Sequence, residues 1–404
     1  ILRSAETRKT ALSSKNKTII YANAGMGEST TDFVYSGQCL VFESGELLAE
    51  CKPFENIMAV AEIESNPKAG EPKLFEKAEN VLTKKPFIPD NFSISDANEL
   101  INIQAHGLAH RASHINAKSL VLGISGGLDS TLAILVCVKT TEILGKSADF
   151  VHAISMPCFG TSNRTRGNAK RLCELLKVRF EEIDISDSVT QHLKEIHHDF
   201  KNKNVVFENA QARMRTLVLM NLANAENGLV VGTGDLSELV LGFCTYNGDH
   251  MSMYGVNGSI PKTLMQAMVK AFADNNSELK AVLYDILETP ISPELLPGGG
   301  EIVQITQNLI GSYDLNDFFI FHVLNNHFSP KKVFDLALKA FEDEFSPDEI
   351  KKWLIAFNKR FFASQFKRSC LPDGPQATVI SVSPRNGLFM PSDAVVRQWL
   401  AEID

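Results

Sequence analysis

The octapeptide Gly123-Ile124-Ser125-Gly126-Gly127-Leu128-Asp129-Ser130 decides how this chain is read. It follows the apolar run Ser119-Leu120-Val121-Leu122, which predicts a buried strand, and leads into Thr131-Leu132-Ala133-Ile134-Leu135-Val136, which predicts a helix. A strand, a glycine turn and a helix N-terminus aim several backbone N–H groups at one point. Gly126 and Gly127 let the backbone approach a ligand, because no Cβ stands in the way. The helix end adds positive partial charge. Ser125 and Ser130 add hydroxyl donors. The spacing predicts a polyphosphate cradle. Its single acid, Asp129, makes sense if a divalent cation lies between it and the phosphates, since Mg²⁺ takes one or two carboxylates plus phosphate oxygens.

The loop is neither a Walker loop, which needs a Lys after its last glycine, nor a G-x-G-x-x-G fingerprint, because Ser125 breaks that spacing. The plainer reading is an ordinary turn rich in Gly and Ser. The strand-to-helix context argues for the cradle instead. The loop resembles the pyrophosphate-binding loop S-G-G-x-D-S of the N-type ATP pyrophosphatases. That resemblance implies activation of an oxygen nucleophile with AMP and release of pyrophosphate.

The 404 residues make two domains a reasonable expectation, and 44% hydrophobic with 22% charged residues suits a globular chain with a full core. A net charge of -8 argues against nucleic acid as the main partner. No apolar run has the length needed to span a membrane. The seven cysteines include no C-x-x-C pair, so free thiols in a reducing cytoplasm are expected and a zinc site is not. Ile1-Leu2-Arg3-Ser4 does not resemble a signal peptide and reads as an entry into the middle of a helix.

Along the chain, Thr18–Asn23 predicts a strand, and Cys39–Phe42 with Leu47–Glu50 predicts a hairpin around Glu43-Ser44-Gly45-Glu46. Residues 65–94, with Pro67, Pro72, Pro86, Pro89 and Gly70, read as a linker. From about residue 95 the pattern alternates. Strands are expected at 119–124, 150–156, 179–184 and 229–233. Helices are expected at 96–113, 128–144, 163–177 and 208–226. Such alternation implies βαβ units and a parallel sheet, with ligands at the carboxyl ends of its strands. The octapeptide, Met156–Gly160 and Gly232-Thr233-Gly234-Asp235 should therefore converge.

Within that convergence, Thr233 is placed to donate to a nucleotide, and Glu238 is either a second metal ligand or a partner for a substrate hydroxyl. A helix cap with a solvated Glu is the plainer alternative. Tyr254–Thr263 reads as a glycine-punctuated loop ahead of a helix, with Pro261 at the first helical position. Lys262 and Thr263 then sit where a phosphate would bind, although a lone Lys is usually a solvated charge. Asn209 and Arg213 are four apart and share one helix face with Leu217. Ser346-Pro347-Asp348-Glu349 opens a long helix as a capping box. Beyond that helix, Lys367 and Arg368 suit an anionic group or the helix's negative end.

Gly123–Ser130, Glu208–Arg215, Gly232–Tyr246, Tyr254–Thr263 and Phe366–Pro375 together resemble the glutamine-dependent NAD synthetases over roughly residues 95–404. Tyr21–Asp32 resembles the end of the nitrilase-like glutaminase domain that precedes the synthetase in that family. The resemblance implies an α/β fold: a parallel-sheet, Rossmann-like synthetase domain of the adenine-nucleotide alpha-hydrolase type over 95–404, preceded by a partial nitrilase-like domain over 1–64. It implies conversion of deamido-NAD to NAD through an acyl-adenylate, with ATP consumed and AMP and pyrophosphate released. Carried over by position, Gly123, Ile124, Ser125, Gly126, Gly127, Leu128, Asp129, Ser130 and Thr233 hold ATP. Asp129 and Glu238 are the candidate Mg²⁺ ligands, and Asp129 and Lys262 carry the catalysis, with Lys262 as a phosphate clamp on a mobile loop. Asn209, Glu238, Phe243, Cys244, Thr245, Tyr246 and Lys367 line up with the deamido-NAD site. The expected partners are deamido-NAD, ATP and ammonia or glutamine, in a homo-oligomer. The glutaminase Glu, Lys and Cys are expected before Ile1, since Cys39 and Cys51 do not match the nucleophile, so ammonia rather than glutamine is the donor expected for this chain.

The resemblance implies Thr-Glu-Asp where this chain carries Thr306-Gln307-Asn308. Two acids have become amides, which accept hydrogen bonds but carry no charge. Two other readings stand beside the ligase. One is another ATP pyrophosphatase, such as a GMP synthetase or a tRNA-thiolating enzyme. The other is a non-catalytic nucleotide-binding or assembly remnant. The acidic charge disfavours the tRNA enzyme. The presence of Ser125, Asp129, Thr233, Glu238 and Lys262 disfavours the remnant.

Overall fold

The computed structural model describes residues 18–55, 57–63, 82–292, 295–296, 306–385 and 387–403. The chain divides into two compact units, Ile1–Val81 and Leu82–Asp404. The expected helix at Ile1 and residues 65–81 of the expected linker lie outside the described residues. The rest of that linker belongs to the second unit, where Phe87, Ile88 and Phe92 pack on the core.

In the first unit β1 (Thr18–Ala22), β2 (Cys39–Glu43) and β3 (Glu46–Cys51) form an antiparallel sheet in the order β1-β2-β3. The hairpin closes through Ser44 and Gly45, both at positive φ. Leu40 and Phe42 alternate to one buried face, with Ile19 and Tyr21 packed on them.

The second unit runs α1 (Ile94–His114), β4 (Leu120–Gly123), α2 (Leu128–Leu144), β5 (Val151–Ser155), α3 (Asn163–Leu176), β6 (Arg179–Glu182), α4 (Ser186–Glu195), α5 (Val205–Glu226), β7 (Leu229–Gly232), α6 (Leu236–Leu241), β8 (Tyr254–Gly255), α7 (Lys262–Asn275) and α8 (Lys280–Leu287). Then come α9 (Gln307–Ile310), α10 (Tyr313–Ile320), α11 (Pro330–Ala340), α12 (Pro347–Ala363), α13 (Gln365–Arg368) and α14 (Arg397–Ala401). The sheet is parallel throughout, in the order β6-β5-β4-β7-β8. The chain steps outward from β4 in one direction and then returns to build β7 and β8 on the other side. The order therefore reverses between β4 and β7, which opens a crevice at their carboxyl ends.

Central strands of such a sheet are buried on both faces, so they read as continuous apolar runs. Leu120, Leu122, Val151, Leu229 and Val231 face a core built with α1, α2, α3, α7 and α8. Val121, Ile154 and Val230 face the opposite core, built with α4 and α5. In α3 the buried residues Thr165, Asn168, Ala169, Leu172 and Cys173 follow helical spacing and make one buried stripe. A separate helical core joins α6 to α10, α11 and α12.

Three expectations need correction. Helix α5 starts at Val205 rather than Glu208, because the Asn204 side chain accepts from the N–H groups of Val206 and Phe207 and caps the helix there. The stretch from Tyr254 is not wholly loop: Tyr254 and Gly255 pair with Val231 and Gly232 as a fifth strand. Pro261 is extended, with ψ 157°, and caps α7 from outside, so Lys262 is the first helical residue.

Candidate active site

The octapeptide forms the expected strand, turn and helix. Gly127 is the residue before α2. Gly126 has φ +82°, and a Cβ there would lie 1.9 Å from the Thr165 carbonyl oxygen, so glycine is required on two grounds. The loop is cinched by its own hydroxyls. The Gly127 N–H donates to Ser125 Oγ at 3.1 Å, and Ser125 Oγ and Ser130 Oγ are 3.1 Å apart. Thr131 Oγ1 donates to the Gly127 carbonyl at 2.8 Å. Ile124 and Leu128 send their side chains into the core, so only their backbone faces the cradle.

Asn257, on the segment between β8 and α7, ties the cradle to the far side of the crevice. Its amide donates to the carbonyls of Asp129 and Thr233, both at 3.0 Å. Gln104 from α1 holds Asn257 in turn, donating to its Oδ1 at 3.1 Å. Both amides are fully buried.

At the centre lies Lys262. Its Nζ is 2.5 Å from Asp129 Oδ1, 2.5 Å from Asp235 Oδ2 and 3.3 Å from Glu238 Oε1. Lys262 and Asp235 are fully buried, whereas the side chains of Asp129 and Glu238 keep 24% and 19% of their exposure. The sequence-based picture of a lysine on a mobile loop is therefore corrected. Lys262 sits in the first turn of α7, and its ammonium is held by three acids.

One ammonium faces three carboxylates, and Glu238 and Asp235 respond. Burial pushes Glu238 up to about 7, reinforced by Asp129 and opposed by Lys262. Burial also lifts Asp235 well above the usual carboxylate range, against the pull of Lys262. For Lys262, burial works downward, but the three acids outweigh it and hold the amine charged. Single carboxylate oxygens of Asp129, Asp235 and Glu238 lie within 4.8 Å of one another. Three hard oxygens with charge in excess of one ammonium suit a small divalent cation. Asp129 and Glu238 are partly exposed, whereas Asp235 is fully buried.

Asp235 escaped the sequence reading as a site residue. Its signal is that of a helix cap: Oδ1 accepts from the Glu238 N–H at 2.9 Å, which frees Oδ2 for Lys262.

The residues expected at the deamido-NAD site form a connected group. Thr245 Oγ1 donates to Asn209 Oδ1 at 2.8 Å, and the Tyr246 carbonyl accepts from Arg213 Nε at 3.2 Å. Phe243 N–H donates to the Glu238 carbonyl at 2.9 Å, which links this group to the acids. The Phe243 ring has the Arg360 guanidinium 5.6 Å from its centre. Lys367 Nζ donates to the carbonyls of Gly242 and Cys244 at 2.7 and 2.6 Å. Here Lys367 clamps backbone. Arg368, fully buried, likewise caps the end of α6 through the carbonyls of Leu239 and Val240. Gly242, at φ +61°, ends α6 where a Cβ would strike Ser364. Leu217, on the helix face shared with Asn209 and Arg213, is 54% exposed. Gln307 and Asn308 are exposed on α9, while Thr306 is buried.

Residues 100–345 match the family model for NAD synthase. The chain is 37% identical over 450 residues to a glutamine-dependent NAD(+) synthetase of Mycobacterium leprae, covering 95% of this chain and 66% of that protein. It is 31% identical over 176 residues to an NH(3)-dependent NAD(+) synthetase of Methanococcus aeolicus, covering 43% of this chain and 67% of that protein. The crystal structure of a glutamine-dependent NAD(+) synthetase from Cytophaga hutchinsonii has the same fold, with a TM-score of 0.76 at 16% identity over 100% of this chain and 68% of that one. The chain thus spans about two thirds of the length of the glutamine-dependent relatives. With the crevice, the cradle and the acids in place, the chain belongs to the NAD synthase family.

Proposed function

We propose that this chain amidates deamido-NAD to NAD at the expense of ATP. The observation that carries this reading is the meeting of the Gly123–Ser130 cradle with Asp129, Asp235, Glu238 and Lys262 at the reversal point of the sheet. The nicotinate carboxylate of deamido-NAD attacks the α-phosphorus of ATP. A C(O)O–P bond forms, the bond from the α-phosphorus to the bridging oxygen breaks, and pyrophosphate leaves. Ammonia then adds to the acyl carbon, loses a proton, and AMP departs. The protein's share is positioning and charge neutralisation.

The backbone N–H groups and hydroxyls of the cradle hold the phosphates, with Thr233 across the crevice. Lys262 supplies the fixed positive charge beside the breaking bond. Asp129 and Glu238 would hold Mg²⁺, with Asp235 behind them. When bound, that ion neutralises phosphate charge and leaves Lys262 less fully engaged by the acids. Asn209, Phe243, Cys244, Thr245, Tyr246 and Lys367 shape the wall that receives deamido-NAD. A homo-oligomer is supported by α5, which leaves Leu217 and Val205 exposed. Seven free cysteines support a reducing, cytoplasmic setting. Among the described residues, no helix is long and apolar enough to cross a membrane.

The test is a purified-chain assay with ATP, Mg²⁺, deamido-NAD and ammonium chloride at raised pH, where more of the ammonia is unprotonated. NAD, AMP and pyrophosphate are expected in equal amounts. ATP bound without pyrophosphate release would favour the non-catalytic remnant, and amidation of another nucleotide would favour a different pyrophosphatase.

A further inference from the structure

We infer that Asp317, on α10, is a positioning residue that fixes Lys262 against the acids of the adenylation site. This inference rests on the function proposed above. Asp317 is buried, with both oxygens engaged. Oδ1 accepts from Ser237 Oγ at 2.5 Å. Oδ2 accepts from the Thr263 N–H at 2.8 Å and from Thr263 Oγ1 at 2.7 Å. Ser237 Oγ accepts from the Lys262 N–H at 2.9 Å. The contacts close a circuit: Asp317 to Ser237, Ser237 to the Lys262 backbone, and Thr263 back to Asp317.

The circuit has one geometric consequence. Ser237 lies between Asp235 and Glu238 in the chain, and Thr263 follows Lys262. Holding Ser237 and Thr263 on one rigid carboxylate therefore fixes the start of α6, with Asp235 as its cap and Glu238 in its first turn, against the first turn of α7, which bears the ammonium. Tyr313, one turn earlier on the same face of α10, places its ring 5.4 Å from Lys262 Nζ.

The chemistry requires a carboxylate. Three donors converge on Asp317: one hydroxyl from Ser237, and the N–H and hydroxyl of Thr263. An amide has one accepting oxygen, and its NH₂ would oppose at least one of those donors. The charge also sits at the N-terminal end of the 14-residue helix α7, where it is favoured. The hydrogen bonds of Asp317 go to Ser237 and to Thr263, whose hydroxyl and N–H it occupies in place of the phosphate expected there, so its effect passes through the placement of Lys262.

The experiment compares wild type, Asp317→Asn, Ser237→Ala and the double variant. Pyrophosphate release is read against ATP concentration, folding is read by thermal unfolding, and the reactivity of the Lys262 amine toward acetic anhydride is read by mass spectrometry. For Asp317→Asn, kcat is expected to fall on the order of 100-fold with KM for ATP little changed, since the loss is one of alignment. The double variant is expected to be no slower than Asp317→Asn, because both break one circuit. Lys262 should be protected in the wild type and acetylated in the variant. Should Asp317→Asn fail to fold, Thr263→Val, which keeps the backbone donor, carries the same readouts. Unchanged kcat with Lys262 still protected, or additive losses in the double variant, would overturn the inference. A wild type that releases no pyrophosphate defeats the proposed function instead, and the Lys262 reactivity still decides the role of Asp317.

Discussion

The two edges of the parallel sheet each carry a cluster of acids and bases, and they are balanced in opposite ways. At the amino-terminal edge, His152 Nδ1 lies 2.9 Å from Glu226 and Nε2 lies 3.0 Å from Glu181. Glu226 also accepts from Ser119 at 2.8 Å and pairs with Arg179. Burial alone would raise Glu226, but Ser119, His152 and Arg179 outweigh it and hold the acid below its usual range. At the carboxyl-terminal edge, three acids share one lysine, and Glu238 rises to about 7. Similar groups therefore titrate in opposite directions. A cluster that serves the fold satisfies its own charges. The cluster in the crevice holds more acids than its lysine can pair, so burial favours protonated acids until a cation is supplied, which is the condition for a cation site.

The sharpest way to break this comparison is to remove Lys262, the cation that the three acids share. Lys262→Met leaves three buried or half-buried acids with no counter-charge. Loss of one partner of a buried ion pair costs about 3–5 kcal/mol, and pyrophosphate release should fall with it. Chemical denaturation at neutral pH measures the stability loss. A loss below about 1 kcal/mol, the range of exposed pairs, would mean that the acids are not held by this amine.

Next in size is Asp129→Asn. The amide still accepts from Lys262 but cannot carry charge, so the fold is expected to persist while adenylation falls by on the order of 100-fold or more. The readout is pyrophosphate release in Mg²⁺. Normal release would remove Asp129 from the chemistry and place the burden on Glu238 and Asp235.

How far the sequence reaches follows from the range of each contact. The cradle was legible because strand, turn and helix are consecutive, and the requirement for glycine at Gly126 is local apart from Thr165. The partners of Lys262 were not legible: Asp129 is 133 residues away in the chain. Asp317 is 80 residues from Ser237 and 54 from Thr263, and one of two acids in a short helix, Asp314 being the other, gives no pattern. Asp235 did carry a signal, an acid at the start of a short helix, but a cap and a catalytic acid look alike until the fold brings Lys262 to it. Strand β8 was missed for a different reason. Two residues are too few for periodicity to register, and pairing with β7 defines them as strand.

A smaller effect is expected at the opposite edge. Glu226→Gln keeps the hydrogen-bonding shape but removes the charge that His152 and Arg179 face, at a cost of about 1–3 kcal/mol in unfolding free energy. Turnover should stay at the wild-type value, because the change lies at the other end of the strands. A fall in kcat without a fall in stability would show that the two edges are coupled, and the distinction between them would fail.

The finest test uses pH, because the two clusters must tilt stability in opposite directions. Glu238 has a folded pKa of about 7 against 4.5 for an ordinary glutamate. Its contribution is fully present below about pH 4.5 and is lost as pH rises through 7, since the folded state must then give up a proton it holds tightly. Glu238→Gln behaves as a permanently uncharged side chain and escapes that loss. Measured without Mg²⁺, the variant should gain on the wild type from pH 4.5 to 7 and level off above it. The gain is expected to be about 1 kcal/mol, because Glu238 titrates within a cluster of interacting acids and the full shift is not realised in one group. Glu226 has the reverse sign. Its folded pKa is depressed, so its contribution is present above the ordinary glutamate value and lost as pH falls through the folded one. The cost of Glu226→Gln should therefore shrink in acid, where the penalty of removing a charge disappears. Using differences from wild type cancels the histidines, of which His106 and His322 are pulled down to about 4 by burial. Mg²⁺ supplies the last discrimination: it should lower the gain of Glu238→Gln by stabilising the wild-type carboxylates and leave the Glu226→Gln curve where it was. Parallel slopes for the two variants, or a Mg²⁺ response at Glu226, would mean that both edges are balanced alike and that the crevice acids hold no special claim on a cation.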